Sequence, residues 1–293
     1  MLQTVINGLL IGGVYALIAV GLSMIHGVMK IVNFAQGDLL TVGMYFSFVF
    51  YTALPRGSLP YWLLIPVAIL MFIFGVVLFR TAIIRVIGKG DSNYILLTLG
   101  LSYLIQNLLQ LIFGPNFRSL DISNELKYGA TTFFDEAMIL SSPRLIAFIG
   151  ALIFVTLVTY FLSKTDLGRA MRATAENTTV ARTLGINVKL VFTIAFSLGT
   201  VFAGIAGLLM TPMFLISPQA GTTFSTIAMC SMVMGGLGNL KGAMIGGIIL
   251  GLVESVSSNY LTIDIAPVVI NTVLMLVLIF RPYGIFGQGG ARA

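Results

Sequence analysis

Residues 145–209, LIAFIGALIFVTLVTYFLSKTDLGRAMRATAENTTVARTLGINVKLVFTIAFSLGTVFAGIAGLL, decide the fold of this chain. Two apolar runs of roughly 20 residues, each long enough to cross the hydrocarbon core of a bilayer as a helix, flank a polar and basic segment. The whole chain of 293 residues is 58% hydrophobic and only 9% charged. That charge is too little to cover a soluble domain of this length, so the polar segment is expected to join two membrane spans.

Similar apolar runs recur from end to end and predict an all-α, polytopic transmembrane bundle of eight or nine spans, formed by a single domain over residues 1–293. The first run has no basic region before it, so we expect a retained span and not a cleaved signal peptide. The expected spans are 5–26, 38–54, 61–80, 93–113, 144–163, 190–211, 222–238, 243–262 and 265–280.

The distribution of lysine and arginine predicts the orientation. With the N-terminus outside, twelve of the 16 basic residues fall on the cytoplasmic side and four on the external side, as the positive-inside rule requires. The C-terminus is then cytoplasmic. The longest cytoplasmic loop is 164–189, and the longest external loop, 114–143, is polar and slightly acidic. The cytoplasmic set is Lys30, Arg80, Arg85, Lys89, Lys164, Arg169, Arg172, Arg182, Lys189, Lys241, Arg281 and Arg292, and the external set is Arg56, Arg118, Lys127 and Arg144.

Two glycine-interrupted polar breaks lie near the ends of the chain, HGVMKIVNFAQGD at 26–38 and GGLGNLKG at 235–242, and each is followed by two spans. This arrangement indicates a weak internal repeat. Broken segments at corresponding places in two halves are typical of a transport pathway, because irregular backbone inside a bilayer needs protein or water to satisfy it. The alternative is two tight cytoplasmic turns.

Glu254 is the clear ionisable residue inside an expected span, and a carboxylate there is expected to face the bundle interior or a cavity. We hypothesise that Asn33, Gln36, Gly236 and Glu254 line or border a central cavity. An equally weighted alternative makes Glu254 a buried acceptor for neighbouring serine or backbone groups. Small residues four positions apart, such as Gly8 and Gly12, are expected to form helix contacts.

Other function classes lack their signatures. GGLGNLKG does not match the G-x-x-x-x-G-K-[ST] loop that cradles nucleotide phosphates, and the sequence has no G-x-S-x-G or H-E-x-x-H motif. With one histidine and one cysteine, a His/Cys metal cluster is not expected. The net charge of +6 reflects the loop asymmetry and indicates no nucleic-acid partner. We therefore predict no enzyme activity and no cofactor bound by this chain.

Two short helices are readable in residues 166–187. The first begins near Asp166, and Asn177 is a good N-cap for the second, which Gly185 is expected to end in a left-handed conformation. An apolar stripe of Val180, Ala181 and Leu184 would suit a groove on another protein. The alternative is a basic helix lying on lipid headgroups. The residues predicted to form a docking surface are Arg169, Arg172, Glu176, Val180, Ala181, Arg182, Leu184 and Gly185.

This basic loop, with Ala181 and Gly185 in A-x-x-x-G spacing, resembles the coupling loop of bacterial ABC importer permeases. Four stretches sharpen the resemblance to the branched-chain amino acid permease family, Liv-type, H subunit. They are VNFAQGDLLTVGMY (32–45), GRAMRATAENTTVARTLGIN (168–187), AGIAGLL (203–209) and GGLGNLKGAMIGGIILGLVES (235–255). The chain departs from the family pattern at Gln36, where histidine is usual, at Lys241-Gly242, where Pro-Gly is common, and in the segment from Arg85 to Lys89.

The resemblance implies a permease subunit in a bacterial inner membrane, translocating branched-chain or related amino acids. It implies a second homologous permease, two ABC ATPase subunits that hold ATP and Mg, and an extracytoplasmic solute-binding protein, with membrane lipid around the bundle. A permease for urea or short amides is the alternative within the family. A stand-alone secondary transporter or channel is the alternative from another class.

Overall fold

The structure is a computed structural model that describes residues 1–53, 63–120, 130–132, 139–261 and 265–287. It is helical throughout, apart from a 3-10 turn at Ile83–Arg85 and two three-residue antiparallel strands, β1 (Ala130–Thr132) and β2 (Ile139–Ser141). The predicted all-α class is confirmed. The helices are α1 (Leu2–Met29), α2 (Gln36–Ala53), α3 (Leu64–Thr81), α4 (Asp91–Phe113), α5 (Ser142–Lys164), α6 (Asp166–Glu176), α7 (Thr178–Thr183), α8 (Val188–Met210), α9 (Ala220–Gly235), α10 (Leu240–Tyr260) and α11 (Ala266–Phe280).

Nine of these helices coincide with the nine expected spans, each to within three residues at either end. Six of them are long and apolar enough to cross a membrane: Leu2–Met29, Leu64–Arg85, Ser92–Phe113, Pro143–Lys164, Val188–Met210 and Leu240–Tyr260. The helices α2, α9 and α11 do not meet that criterion. The number of spans and the internal repeat therefore stay predictions.

Helix α1 lies at the centre of the bundle, and its contact with α10 depends on glycine. A β-carbon on Gly12 would lie 2.8 Å from Ile248 Cα, and one on Gly8 would lie 2.9 Å from the Gly251 carbonyl oxygen. Small residues at four-residue spacing permit this close approach of two backbones. Close packing matters in a membrane, because apolar burial gives helices little driving force to associate there. The predicted contact face of Gly8 and Gly12 is confirmed.

Close glycine contacts also hold α8 inside the bundle. A β-carbon on Gly43 of α2 would lie 2.5 Å from Gly204 Cα, and one on Gly75 of α3 would lie 2.8 Å from Ser197 Cα. Helix α8 is therefore held between α2 and α3 as well as against α1. The outer helices present apolar side chains instead, among them Leu96 (74% exposed) and Leu111 (82%) of α4, as suits a lipid-facing surface.

Two segments that the predicted topology assigns to one side of the membrane meet in the structure. After α4, the backbone of Arg118 pairs with Ile216 in the α8–α9 connection, with N···O distances of 2.9 and 2.8 Å. Both segments belong to the side predicted to be external. The acidic and basic residues of the external loop at 121–129 and 133–138 lie outside the described residues, as does Arg56.

Candidate docking segment and translocation site

The predicted docking segment folds as two short capped helices, α6 and α7. The Thr165 hydroxyl oxygen accepts from the Gly168 N–H at 3.0 Å, and Asp166 in the first turn pairs with Arg169. Helix α6 buries Gly168, Met171 and Thr174 against the bundle. A β-carbon on Gly168 would lie 2.6 Å from the Phe161 carbonyl oxygen, so this helix turns tightly back onto the end of α5.

Helix α7 is only six residues long, and local hydrogen bonds define both of its ends. Asn177 Oδ1 accepts from the N–H groups of Thr179 and Val180 at 2.9 and 3.1 Å, which confirms the predicted N-cap. At the other end, Gly185 N–H donates to the Arg182 carbonyl and Ile186 N–H to the Ala181 carbonyl, both at 3.0 Å. This pair of bonds is a Schellman motif, and its left-handed residue is Gly185, with φ +81°.

The expected apolar stripe of α7 is split, and the prediction was wrong at Ala181. That side chain is 1% exposed and joins the core, whereas Val180 and Leu184 are 50% and 73% exposed. The physical reason is that so short a helix needs one face on the bundle to remain folded. The other predicted docking residues, Arg169, Arg172, Glu176, Arg182 and Gly185, are exposed. A partner would therefore contact Val180 and Leu184, with arginines around them.

The first break runs back into the bundle and is not a surface turn. Lys30 follows α1 in a left-handed conformation, with φ 58°. The chain then turns back, and α2 begins at Gln36, beside Gly21 of α1. Gly21 precedes the last residue of α1 by a distance of about 12 Å along the helix, at 1.5 Å per residue. Asn33 and Gln36 are fully buried, and Asn33 Nδ2 donates to Gln36 Oε1 at 3.3 Å. Gln36 Nε2 donates to the Gly199 carbonyl at 3.1 Å. The Ser225 hydroxyl accepts from the Gly37 N–H at 2.8 Å and donates to the Phe34 carbonyl at 2.9 Å, so a protein group satisfies part of this irregular backbone.

The second break meets the first. Gly236 (φ +107°) ends α9, and a β-carbon on Gly238 (φ +80°) would lie 3.1 Å from Gly27 Cα in α1. Beside this contact is a groove of about 610 Å³, whose wall includes Lys30, Arg172 and Lys241. The groove thus brings both breaks and the docking segment to one end of the bundle.

Glu254 lies elsewhere, on a cavity of about 450 Å³ between α9, α10 and α11. Tyr15 of α1 lies beside its carboxylate, and within the described part of the chain its Oε2 is buried without a hydrogen-bond partner. Ser255 does not bond to Glu254, because its hydroxyl donates to the Thr4 carbonyl at 2.7 Å.

The four residues predicted to border one central cavity are therefore not brought together. Glu254 lines the cavity just described, whereas Asn33 and Gln36 are enclosed by protein, and Gly236 packs against Phe286 and Gly287. Paired breaks in the sequence indicated irregular buried backbone correctly. The positions of the two breaks could not show where along the bundle Glu254 lies, because it is fifteen residues into α10 and thus far from the break that precedes this helix.

A buried carboxylate that sequence reasoning missed lies at Asp38, which is 0% exposed in the first turn of α2. The Ser102 hydroxyl donates to Asp38 Oδ2 at 2.5 Å, and Gln106 Nε2 donates to Oδ1 at 2.9 Å. The carboxylate also faces Gly221 in the first turn of α9. Gln106 thus bridges α4 and α2, whereas its neighbour Asn107 bonds within α4, to the Tyr103 carbonyl.

The fold and these sites define a polytopic helical membrane protein of the transporter class, in which broken helices meet within a glycine-packed bundle. Residues 4–280 match the family model described as "Branched-chain amino acid transport system / permease component". The chain belongs to this family.

Relatives match over nearly the full length of the chain. It is 32% identical to the high-affinity branched-chain amino acid transport system permease protein LivH of Salmonella typhimurium, covering 98% of this chain and 96% of the relative. Identity to BraD of Pseudomonas aeruginosa, with the same descriptive name, is 30% over the same shares. LivM of Escherichia coli is 24% identical, over 93% of this chain and 67% of the relative. No solved structure matches significantly.

Proposed function

We propose that this chain is a permease subunit of an ABC importer in a bacterial cytoplasmic membrane, translocating branched-chain or related amino acids. The observation that carries the proposal is the α6–α7 segment, because the chain has no nucleotide-binding loop of its own and an energy source must reach it through a partner. Membership in a permease family supports the same assignment. The distribution of basic residues supports an N-terminus outside and a C-terminus in the cytoplasm.

The surface of the docking segment suits a protein partner. Val180 and Leu184 are exposed apolar side chains in an otherwise polar region, and burying each fully would contribute about 1.5–3 kcal/mol. Arg169, Arg172 and Arg182 surround them, and exposed charges of this kind set the rate and register of association more than its affinity. The proposed partner is a groove on an ABC ATPase subunit, with ATP and Mg bound there and not on this chain.

The remaining subunits follow from the same proposal. A second homologous permease would complete the pathway, two ATPase subunits would drive it, and a solute-binding protein would deliver the amino acid. ATP hydrolysis can switch the bundle only if the ATPase binds its outward- and inward-open states with different affinities.

The deciding experiment compares Leu184→Asp with Leu261→Asp in the complete transporter reconstituted in liposomes. Both leucines are exposed, 73% and 55%, but Leu261 follows α10 at the opposite end of the bundle. We expect Leu184→Asp to remove ATPase co-purification and ATP-driven leucine uptake, and Leu261→Asp to preserve both.

Two results would count against the proposal. If Leu184→Asp keeps its ATPase, the segment is better explained as a helix bound to lipid headgroups. If the permease alone moves leucine without ATPase subunits, the chain is a stand-alone transporter or channel. Competition of uptake by urea or acetamide, but not by isoleucine and valine, would move the substrate to the amide class.

A further inference from the structure

The cavity at Glu254 has the chemistry of a polar binding site. Its volume of about 450 Å³ lies within the range of roughly 300–1,000 Å³ typical of small-molecule sites. Its wall carries Thr222, Thr226 and Ser258 together with the carboxylate and Asn271. Lipid chains cannot satisfy the carboxylate or the second N–H of the Asn271 amide, so the cavity suits water and a polar solute.

Glu254 is held ready for a cationic partner. Tyr15 of α1, which is 1% exposed, lies beside the carboxylate, and Oε2 is buried without a hydrogen-bond partner among the described residues. The ion pairs present among the described residues do not include Glu254. A carboxylate inside a membrane span is costly unless paired or wet, and a positive group in the cavity would pair with the part of the carboxylate that lines it.

The neighbouring hydroxyls add hydrogen-bond acceptors on the same wall. Thr222 Oγ1 already donates to the Gln219 carbonyl at 2.9 Å and Thr226 Oγ1 to the Thr222 carbonyl at 3.0 Å. Their hydroxyl protons are therefore used, and they offer lone pairs to the cavity. A group with several N–H donors, such as a primary ammonium, matches this arrangement.

Other residues of the cavity lining supply the complementary features. Asn271 uses one N–H on the Pro267 carbonyl at 3.0 Å and keeps a second N–H for an anionic oxygen. Ile227 and Ile270 line the same cavity and offer an apolar surface. Ammonium, carboxylate and aliphatic side chain are the three parts of a free branched-chain amino acid.

We propose that this cavity is a binding station for the free amino acid during translocation, with the substrate ammonium on the Glu254 carboxylate and on the threonine hydroxyls. The inference rests on the proposed function and names the part of the chain that contacts its substrate. Tyr15 acts as a positioning residue for the carboxylate. Because the cavity is open on one side, the second permease would close it.

Cysteine labelling in the complete transporter tests the cavity without relying on ATP-driven uptake. The sole native cysteine, Cys230, donates to Asn271 Oδ1 at 3.6 Å, so Cys230→Ser removes the thiol and keeps a donor. Thr223→Cys then places a thiol on the cavity wall, and Thr272→Cys provides an exposed control on α11 outside the lining. Cationic and anionic methanethiosulfonate reagents are compared at each position.

We expect the cationic reagent to react faster at Thr223→Cys. Glu254→Gln should lower the cationic rate by about fivefold and raise the anionic rate by about the same factor, as for two unit charges about 4 Å apart in water, so the cation-to-anion rate ratio should fall by roughly 25-fold. The ratio at Thr272→Cys should not change. Millimolar leucine should slow labelling at Thr223→Cys, and its keto acid analogue, 4-methyl-2-oxopentanoate, which lacks the ammonium, should not.

Several outcomes would overturn the inference. Labelling at Thr223→Cys by membrane-permeant maleimide only would make the cavity a lipid-facing cleft. An unchanged ratio in Glu254→Gln, or equal protection by the keto acid, would remove the ammonium assignment. ATP-independent uptake with these labelling results intact would instead refute the proposed importer, so the two failures are distinguishable.

Discussion

Replacement of Gly185 by valine should uncouple the transporter by opening the end of α7. At φ +81° the residue is in the left-handed region, yet an added β-carbon would meet no atom within 4 Å. The whole penalty is therefore conformational, about 1–2 kcal/mol for a residue with a β-carbon. That energy shifts the equilibrium between formed and broken capping hydrogen bonds at the C-terminal end of α7 by roughly 5- to 30-fold, toward the broken state.

Asparagine is the matched control, because it visits the left-handed region far more readily than valine. Each variant is co-expressed with its ATPase subunits, purified and assayed for bound ATPase and for ATP-driven leucine uptake in liposomes. Gly185→Val should lose several-fold in both, and Gly185→Asn should stay close to the parent protein. Equal activity of the two variants, with both permeases inserted normally, would refute the argument from backbone conformation.

Three further predictions concern topology and packing. A cysteine at Ser119 in a Cys230→Ser background should be labelled by an impermeant maleimide from outside intact cells, because Ser119 is exposed beside the Arg118–Ile216 pairing. Labelling from the cytoplasm alone would reverse the predicted orientation. Gly12→Ala should cost about 1–3 kcal/mol of stability through overpacking, measured as a lower unfolding temperature in detergent, while Gly100→Ala, with nothing within 4 Å, should not lower it. Equal melting of these two variants would contradict the close α1–α10 contact. Asp38→Leu should destabilise the protein by about 1–3 kcal/mol, since two polar partners on α4 lose their acceptor; unchanged thermal unfolding would show that the carboxylate does not anchor α4.

The positions of the helices could be predicted from the sequence because the membrane imposes a length on every apolar run. The ends of α7 were equally predictable, because each depends on one residue. The Asn177 side chain accepts hydrogen bonds from the first turn, and Gly185 ends the helix in a left-handed conformation. Ala181 could not be placed in the same way. Which face of a six-residue helix is covered depends on the bundle beneath it, and that information is not local.

Asp38 was missed because it stands at the edge of an expected span, where a carboxylate is ordinarily solvated. The break before it carries α2 into the bundle, so the residue becomes fully buried in a place that a hydropathy pattern assigns to the surface. A signal did exist in α4. Ser102 and Gln106 are four residues apart and thus share one helix face, and two polar groups on one face of an apolar helix require a partner across the interface.

The location of α6 explains how a partner bound at α7 would act on the breaks without a flexible linker between them. Asn177 alone separates the two helices, and α6 is fastened to the bundle through Met171 and Thr174. Its Arg172 then lies on the groove shared with the second break, where Gly238 touches Gly27 at the end of α1. Backbone contacts this close leave no room for gradual deformation, so we expect a displacement that reaches either break to move both together. An all-or-none response of this kind is what coupling to a two-state ATPase requires, and it follows from glycine at the contact, not from any side chain reaching across the groove.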